Sequence, residues 1–246
     1  MPEHRHINLV LVDFDDTLVD TAPRFQNARR DLFDLLKQAG FDEAEARRVH
    51  HDEVDPIMRQ RYGLGPSRME HAFRATYEAL CLACGRLMDD EVAARAAVLG
   101  SAVAGRPPVI SGALDALARL ARALPTALYT QAGDPEYQLR CIEQCGILDV
   151  IPPDRVRICE RKTAEQFRRT VAQFAITDPA TVWMIGNSMR SDINPALQAG
   201  ANAILVEVAD PWEFDVVDPV SDTFHRVPTF GEAVNLLLPL TEQNAS

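Results

Sequence analysis

The sequence predicts an α/β fold: a doubly wound, Rossmann-like parallel sheet interrupted by an inserted helical module. Three observations predict it. The apolar run Leu9-Val10-Leu11-Val12 ends abruptly in Asp13-Phe14-Asp15-Asp16, as expected of a strand covered on both faces that reaches a sheet edge. From residue 105 onward, short apolar runs alternate with helical periods, the rhythm of parallel strands joined by crossover helices. Between these parts, residues 21–104 show helical spacing and no strand pattern. The expected division is therefore a core formed by 1–20 and 105–246, with a helical insert over 21–104.

Each element has its own signals. Residues 7–12 read as the first strand. Pro23 opens a helix carrying Phe25, Ala28, Leu32, Leu35, Leu36 and Ala39, and Gly40 stops it. Asp42 with Glu45 forms a capping-box pattern before a helix that Pro56 should kink or divide. Gly63, Gly65 and Pro66 predict a loop. Ser67 with Glu70 predicts a second capping box ahead of Met69, Phe73, Tyr77 and Leu80, and a further helix runs from Asp89 to about 104. The alternating part then reads as helix 112–123, strand 126–129, helix 135–145 capped by Asp134, strand 155–158 and helix 163–175. Strand 181–185, helix 195–199, strand 203–208, strand 224–227 and helix 230–238 complete it.

Composition narrows the function classes. The 246 residues are 47% hydrophobic, enough for a large core. With 25 basic against 36 acidic residues the net charge is −11, which disfavours a broad nucleic-acid surface. Five cysteines without a secreted-scaffold spacing and a polar Met1–His6 predict a soluble, cytoplasmic chain. No stretch of 18 apolar residues predicts a membrane span. Nothing in the sequence sets the oligomeric state.

Four strand ends hold chemistry. They are Asp13 and Asp15 after the first strand, Thr130 after Ala127-Leu128-Tyr129, Lys162 after Ile158, and Gly186-Asn187-Ser188-Met189-Arg190-Ser191-Asp192 after Val182-Trp183-Met184-Ile185. A parallel sheet brings all four ends to one edge. Asp13 and Asp15 are two apart, so a regular strand points both to one side, where a cation or a shared proton must hold them together. Carboxylates, a hydroxyl, an ammonium and an amide suit a phosphoryl group.

These residues resemble the haloacid dehalogenase superfamily of phosphotransferases. Asp13-Phe14-Asp15-Asp16-Thr17-Leu18 is similar to its first motif, Thr130 to the second, Lys162 to the third and Gly186–Asp192 to the fourth. The helical insert resembles the family's C1-type cap. Tyr129–Asp134, with Gln138 and Ile142, is similar to the nucleotide- and phosphoglycolate-phosphatase-like branch. The resemblance implies a phosphatase of a small phosphorylated metabolite. Asp13 would be the nucleophile and Asp15 the acid and base. Thr17, Thr130, Gln131 and Lys162 would bind the phosphoryl group, and Asp13, Asp15, Asn187 and Asp192 would bind Mg²⁺. Asp16 is read as a spacer.

One residue departs from the pattern. The family has Gly-Asp at the start of the fourth motif, whereas this chain has Gly186-Asn187. Asn removes one negative charge from the metal site. The loss leaves open a phosphate-binding or regulatory protein without turnover. A phosphomutase differs only in the acceptor, and a metal-free dehalogenase lacks the second Asp that Asp15 supplies here. Competing signals are weaker. His50, His51 and His71 read as surface histidines, and Cys81 with Cys84 as buried apolar cysteines rather than zinc ligands. Arg190 either touches substrate or pairs with the acidic surface. Arg24, Arg59, Arg61, Tyr62 and Arg68 are insert residues that could meet a second anionic group.

Overall fold

Six parallel strands form one sheet in the order β3-β2-β1-β4-β5-β6, where β1 is Leu9–Val12, β2 Thr126–Gln131, β3 Val156–Cys159, β4 Val182–Gly186, β5 Asn202–Val206 and β6 His225–Val227. The structure is a computed structural model and describes residues 6–239. The N-terminal residues 1–5, read above as polar, and residues 240–246 lie outside that range. The chain divides into two compact units. One holds the described residues up to Thr21, Pro107–Gln131 and the described residues from Gln138 onward; the other holds Ala22–Arg106 with Ala132–Tyr137.

In the sheet unit, β1 is central because every one of its side chains is apolar and buried. Burying each Leu or Val contributes about 1.5–3 kcal/mol, so the strand cannot tolerate a solvent-facing side. Leu9 and Leu11 pack with Ala127, Tyr129, Met184, Ala203 and Leu205 against Phe167, Val171, Ile193 and Ala196. Those last four come from or adjoin α8 (Ala164–Ala172) and α9 (Asn194–Ala199). Elsewhere in this unit α6 (Ala113–Ala123) packs on α10 (Phe230–Leu237), and α10 also contacts β5 and β6. Chain order reverses direction at β1, since β2 and β3 build out on one side and β4 to β6 on the other. Open α/β sheets place ligands at this switch point. β2 runs through Gln131, so Thr130 and Gln131 belong to the strand, facing Ile158 and Cys159 of β3 in register.

The helical unit contains α1 (Ala22–Gln38), α2 (Glu43–Arg48), α3 (Asp55–Tyr62), α4 (Ser67–Ala83) and α5 (Asp90–Ser101). Leu32, Phe33, Leu36, Met69, Phe73, Tyr77, Leu80 and Ala96 form its core. Asp42 caps α2 as expected, its carboxylate accepting from the Glu45 amide at 2.9 Å. Asp89 caps α5 in the same way.

Three expectations need correction and one is narrowed. Ser67 is not a cap: α4 begins one residue earlier in the turn, Pro66 takes the capping position, and no side chain caps the helix. Of the two outcomes expected at Pro56, division is the one seen and a kink is not: a π-helical stretch over Val49–Val54 separates α2 from α3, and Pro56 sits in the first turn of α3, where its missing N–H is harmless. His50 is not on the surface. It is fully buried, bonded to the Thr76 hydroxyl at 2.9 Å and packed edge-on to Phe33 and Phe73. Cys81 is buried, but Cys84, just past the end of α4, is exposed. No helix among the described residues is long and apolar enough to cross a membrane.

Candidate active site

The site grows from the C-terminal end of β1. Asp13 still takes part in the ladder, its amide donating to the Ile185 carbonyl of β4 at 2.9 Å. The chain then tightens: the Leu18 amide donates back to the Phe14 carbonyl, and Asp16 adopts φ 54°. Asp16 tolerates this left-handed conformation better than most residues, and its carboxylate accepts from the Thr21 amide at 2.8 Å. It is thus a turn-forming residue rather than a passive spacer.

Lys162 ties three elements together. Its ammonium donates to Asp13 Oδ1 at 2.5 Å and to Asp192 Oδ1 at 2.6 Å. Its backbone amide donates to Gln131 Oε1 at 2.9 Å, fixing the loop after β3 to the end of β2. Asp192 has both oxygens engaged, because Oδ2 accepts from the Ser188 amide at 3.0 Å. This close approach needs Gly186: a Cβ there would lie 2.3 Å from Asp192 Oδ2. Asp13, Lys162 and Asp192 are all buried.

A second chain of contacts runs through Asp15. Thr21 Oγ1 donates to Asp15 Oδ1 at 2.6 Å, and Gln138 Nε2 donates to Asp15 Oδ2 at 2.6 Å and to Thr130 Oγ1 at 3.0 Å. Thr17 Oγ1 donates to Asn187 Oδ1 at 3.4 Å, bridging the ends of β1 and β4. The eight residues named from the sequence therefore fall at one sheet edge. Gln131 acts there through the Lys162 backbone, and Asp192 through the Lys162 ammonium.

Electrostatics explains the crowding. Burial, then Asp192, pushes the Asp13 carboxyl well above the usual carboxylate range; Asp15 adds to this, and Lys162 opposes it. Burial also works against the Lys162 ammonium, but Asp13 and Asp192 outweigh it and hold its pKa above the ordinary lysine value. The site has more carboxylate than ammonium, so a cation at Asp13 would balance it. Among the described residues, no three or more His, Cys, Asp or Glu side chains are arranged to hold a metal. The same edge carries the carboxylates of Asp13 and Asp15 and the Asn187 amide oxygen, which accepts from Thr17; these are the oxygen donor types that suit Mg²⁺ with retained water.

Sequence reasoning missed several supporting residues. Thr21 and Gln138 hold Asp15; Ser188 Oγ donates to Asp215 Oδ1 at 2.6 Å, and burial raises the Asp215 carboxyl. The sequence offers Gln138 only as part of a branch resemblance, without a role; the capped start of α7 (Pro135–Gln144), with Asp134 accepting from the Tyr137 amide, is a further signal for its place. Asp215 ends a single 3₁₀ turn, Glu213–Asp215, too short to leave a periodic signal. Arg190 Nε donates to the Phe214 carbonyl and its guanidinium lies 4.3 Å from the Phe214 ring centroid, while its charge favours the Asp215 carboxylate.

Comparison with known proteins agrees with this geometry. A family model described as haloacid dehalogenase-like hydrolase matches residues 7–200. The chain belongs to the haloacid dehalogenase-like hydrolases. No curated protein sequence gives a significant match. Among solved structures, a haloacid dehalogenase-like family hydrolase from Xanthomonas campestris is 24% identical over 98% of each chain, with a TM-score of 0.80. A family hydrolase from Deinococcus radiodurans, with bound phosphate and sodium, is 14% identical over 97% of each chain, with a TM-score of 0.65. The L-2-haloacid dehalogenase of Xanthobacter autotrophicus is 17% identical over 94% of this chain and 98% of its own, with a TM-score of 0.55. At these identities the structures establish the shared fold of these hydrolases.

Proposed function

We propose that the protein is a phosphatase acting on a small phosphorylated metabolite through an aspartyl-phosphate, with the helical unit as its cap. Asp15 is the observation that carries this reading. A metal-free dehalogenase needs only the nucleophile of the first motif, whereas here a second carboxylate is held in place by Thr21 and Gln138. A phosphate-bound relative supports the same choice.

Asp13 attacks phosphorus, and the bond to the leaving oxygen breaks as Asp15 protonates it. Lys162 and Thr130 hold the phosphoryl oxygens, and Asp192 keeps the ammonium aimed at Asp13. In the second step Asp15 takes the proton of the attacking water, releasing phosphate and restoring Asp13. When Asp15 is protonated on Oδ1 the Thr21 hydroxyl can reverse its hydrogen bond, while Oδ2 goes on accepting from Gln138 Nε2. Asp13, the Asp15 carbonyl and Asn187 Oδ1 would hold Mg²⁺, which supplies positive charge against the phosphoryl oxygens.

The test is hydrolysis of p-nitrophenyl phosphate with Mg²⁺. Wild type should turn over, and Asp13→Asn should lose about 10⁴-fold or more. If both are equally inactive on this and on a panel of phosphorylated metabolites, while inorganic phosphate still binds, the enzyme reading falls. That result would favour the second reading, a phosphate-binding protein, whose specific observation is Asn187. Asn187→Asp should tighten Mg²⁺ binding by about tenfold through its added charge; an unchanged Mg²⁺ titration would remove Asn187 from the metal site.

A further inference from the structure

The helical unit buries more positive charge than it neutralises. Asp55 and Arg68 are both buried and form a close ion pair, and Arg59 Nε lies 3.4 Å from the other Asp55 oxygen. Arg29, from α1, is partly buried, and its charge interacts with those of Asp55, Arg68 and Arg59. No carboxylate among the described residues pairs with Arg29. The Nε atoms of both Arg29 and Arg68 are buried without a hydrogen-bond partner. His50 stays neutral and adds no charge of its own, because burial, with help from His51, Arg29 and Arg68, lowers its pKa to about 3. One carboxylate thus faces three guanidiniums. A buried charge without a partner is costly, and a guanidinium fork with open N–H groups matches an oxyanion.

We infer that Arg29, Arg59 and Arg68, ordered by Asp55, form an oxyanion-binding site in the helical unit. Its ligand is a carboxylate, phosphate or sulfate group that takes the open guanidinium hydrogens. Two sources share this chemistry: a free anion acting as effector, or an acid group carried by the substrate beside its phosphoryl ester. The second source rests on the phosphatase reading above; the anion site itself does not.

The test begins with the melting temperature of the full chain, titrated with sodium sulfate against sodium chloride at matched ionic strength. Sulfate should stabilise wild type beyond chloride, and Arg29→Gln should shift the half-saturation about tenfold or more upward, the scale of a charged hydrogen bond. Without sulfate, Arg29→Gln should melt no lower than wild type, because it removes a partly buried charge that forms no ion pair of its own. A merely structural arginine predicts the opposite: a lower melting temperature with the sulfate response intact. Absence of any sulfate-specific stabilisation of wild type overturns the site without needing a variant. Arg29→Lys, which keeps the charge and loses the fork, should bind sulfate less well than wild type, and equal binding counts against the proposal.

A second measurement separates the sources. The ratio of kcat/KM for phosphorylated carboxylic acids to that for p-nitrophenyl phosphate should fall about tenfold in Arg29→Gln if the acid group is on the substrate. An unchanged ratio with the sulfate shift present assigns the site to a free anion. If no phosphate ester is hydrolysed at all, the phosphatase reading fails while the sulfate titration still decides the anion site.

Discussion

Two buried charge clusters invite comparison. At the sheet edge, one ammonium sits between two carboxylates, Asp13 and Asp192. In the helical unit, three guanidiniums gather around the single carboxylate of Asp55. Neither is a balanced salt bridge of the kind that merely holds a core together. The first has negative charge to spare and suits a cation; the second has positive charge to spare and suits an anion. Imbalance, rather than the number of charges, is what marks a binding place: a structural network gains nothing from a surplus it must keep out of water.

Removing the central charge of the first cluster should give the largest effect. Lys162→Met leaves Asp13 and Asp192 buried together without their shared partner. The expected loss is about 3–5 kcal/mol of unfolding free energy, read by denaturant titration. Added Mg²⁺ should restore more stability to this variant than to wild type. Equal Mg²⁺ responses would mean that Lys162 and the metal do not share the same surplus.

His50 sharpens the second cluster. It lies against Phe33, Phe73, His51 and Thr76, and it also interacts with Asp55, Arg29 and Arg68. Its folded pKa is lowered to about 3 from an ordinary value near 6.5. At pH 7 both folded and unfolded states hold it neutral, so it costs nothing. Below 6.5 the unfolded chain takes up the proton first, and the native state weakens until pH approaches 3. The expected loss is on the order of 2 kcal/mol by pH 5. Unfolding measured across pH 7 to 4 should show this slope flattened in His50→Gln; an undiminished slope would assign the acid sensitivity to other groups.

The smallest test contrasts two helix starts in the same unit. Asp42→Ala should cost about 1 kcal/mol, because the carboxylate caps the Glu45 amide. Ser67→Ala should cost close to nothing, because Ser67 is already inside its helix. Thermal unfolding of the two variants compares them directly.

The contrast also shows what a sequence reveals. The parallel sheet and the strand-end residues were readable because a buried strand advertises itself as an unbroken apolar run, and parallel topology sends every such run to one edge. Asp42 was readable because its signal is local. Ser67 carried the same local pattern and failed, since Pro66 supplies a backbone already suited to the helix start. The π-helical turn at Val49–Val54 and the burial of His50 depend on how α1, α3 and α4 meet, which no spacing rule encodes. Gln138 and Thr21 became site residues only when distant segments closed on Asp15. Arg29 is the clearest case: its place on a charged helix looks like solvent exposure until α3 and α4 bring Asp55 and Arg68 beside it.

The Lys162 contact has a consequence for biosynthesis. Its partner Asp13 precedes it by 149 residues, and Asp192 follows it by 30. At roughly 5–20 residues per second of synthesis, Asp13 waits on the order of ten seconds for its lysine. During that interval β1 has no reason to bury its acidic end, and the nascent sheet stays open at its centre. Closing the edge is therefore a late event, timed by the arrival of the residue that will serve there.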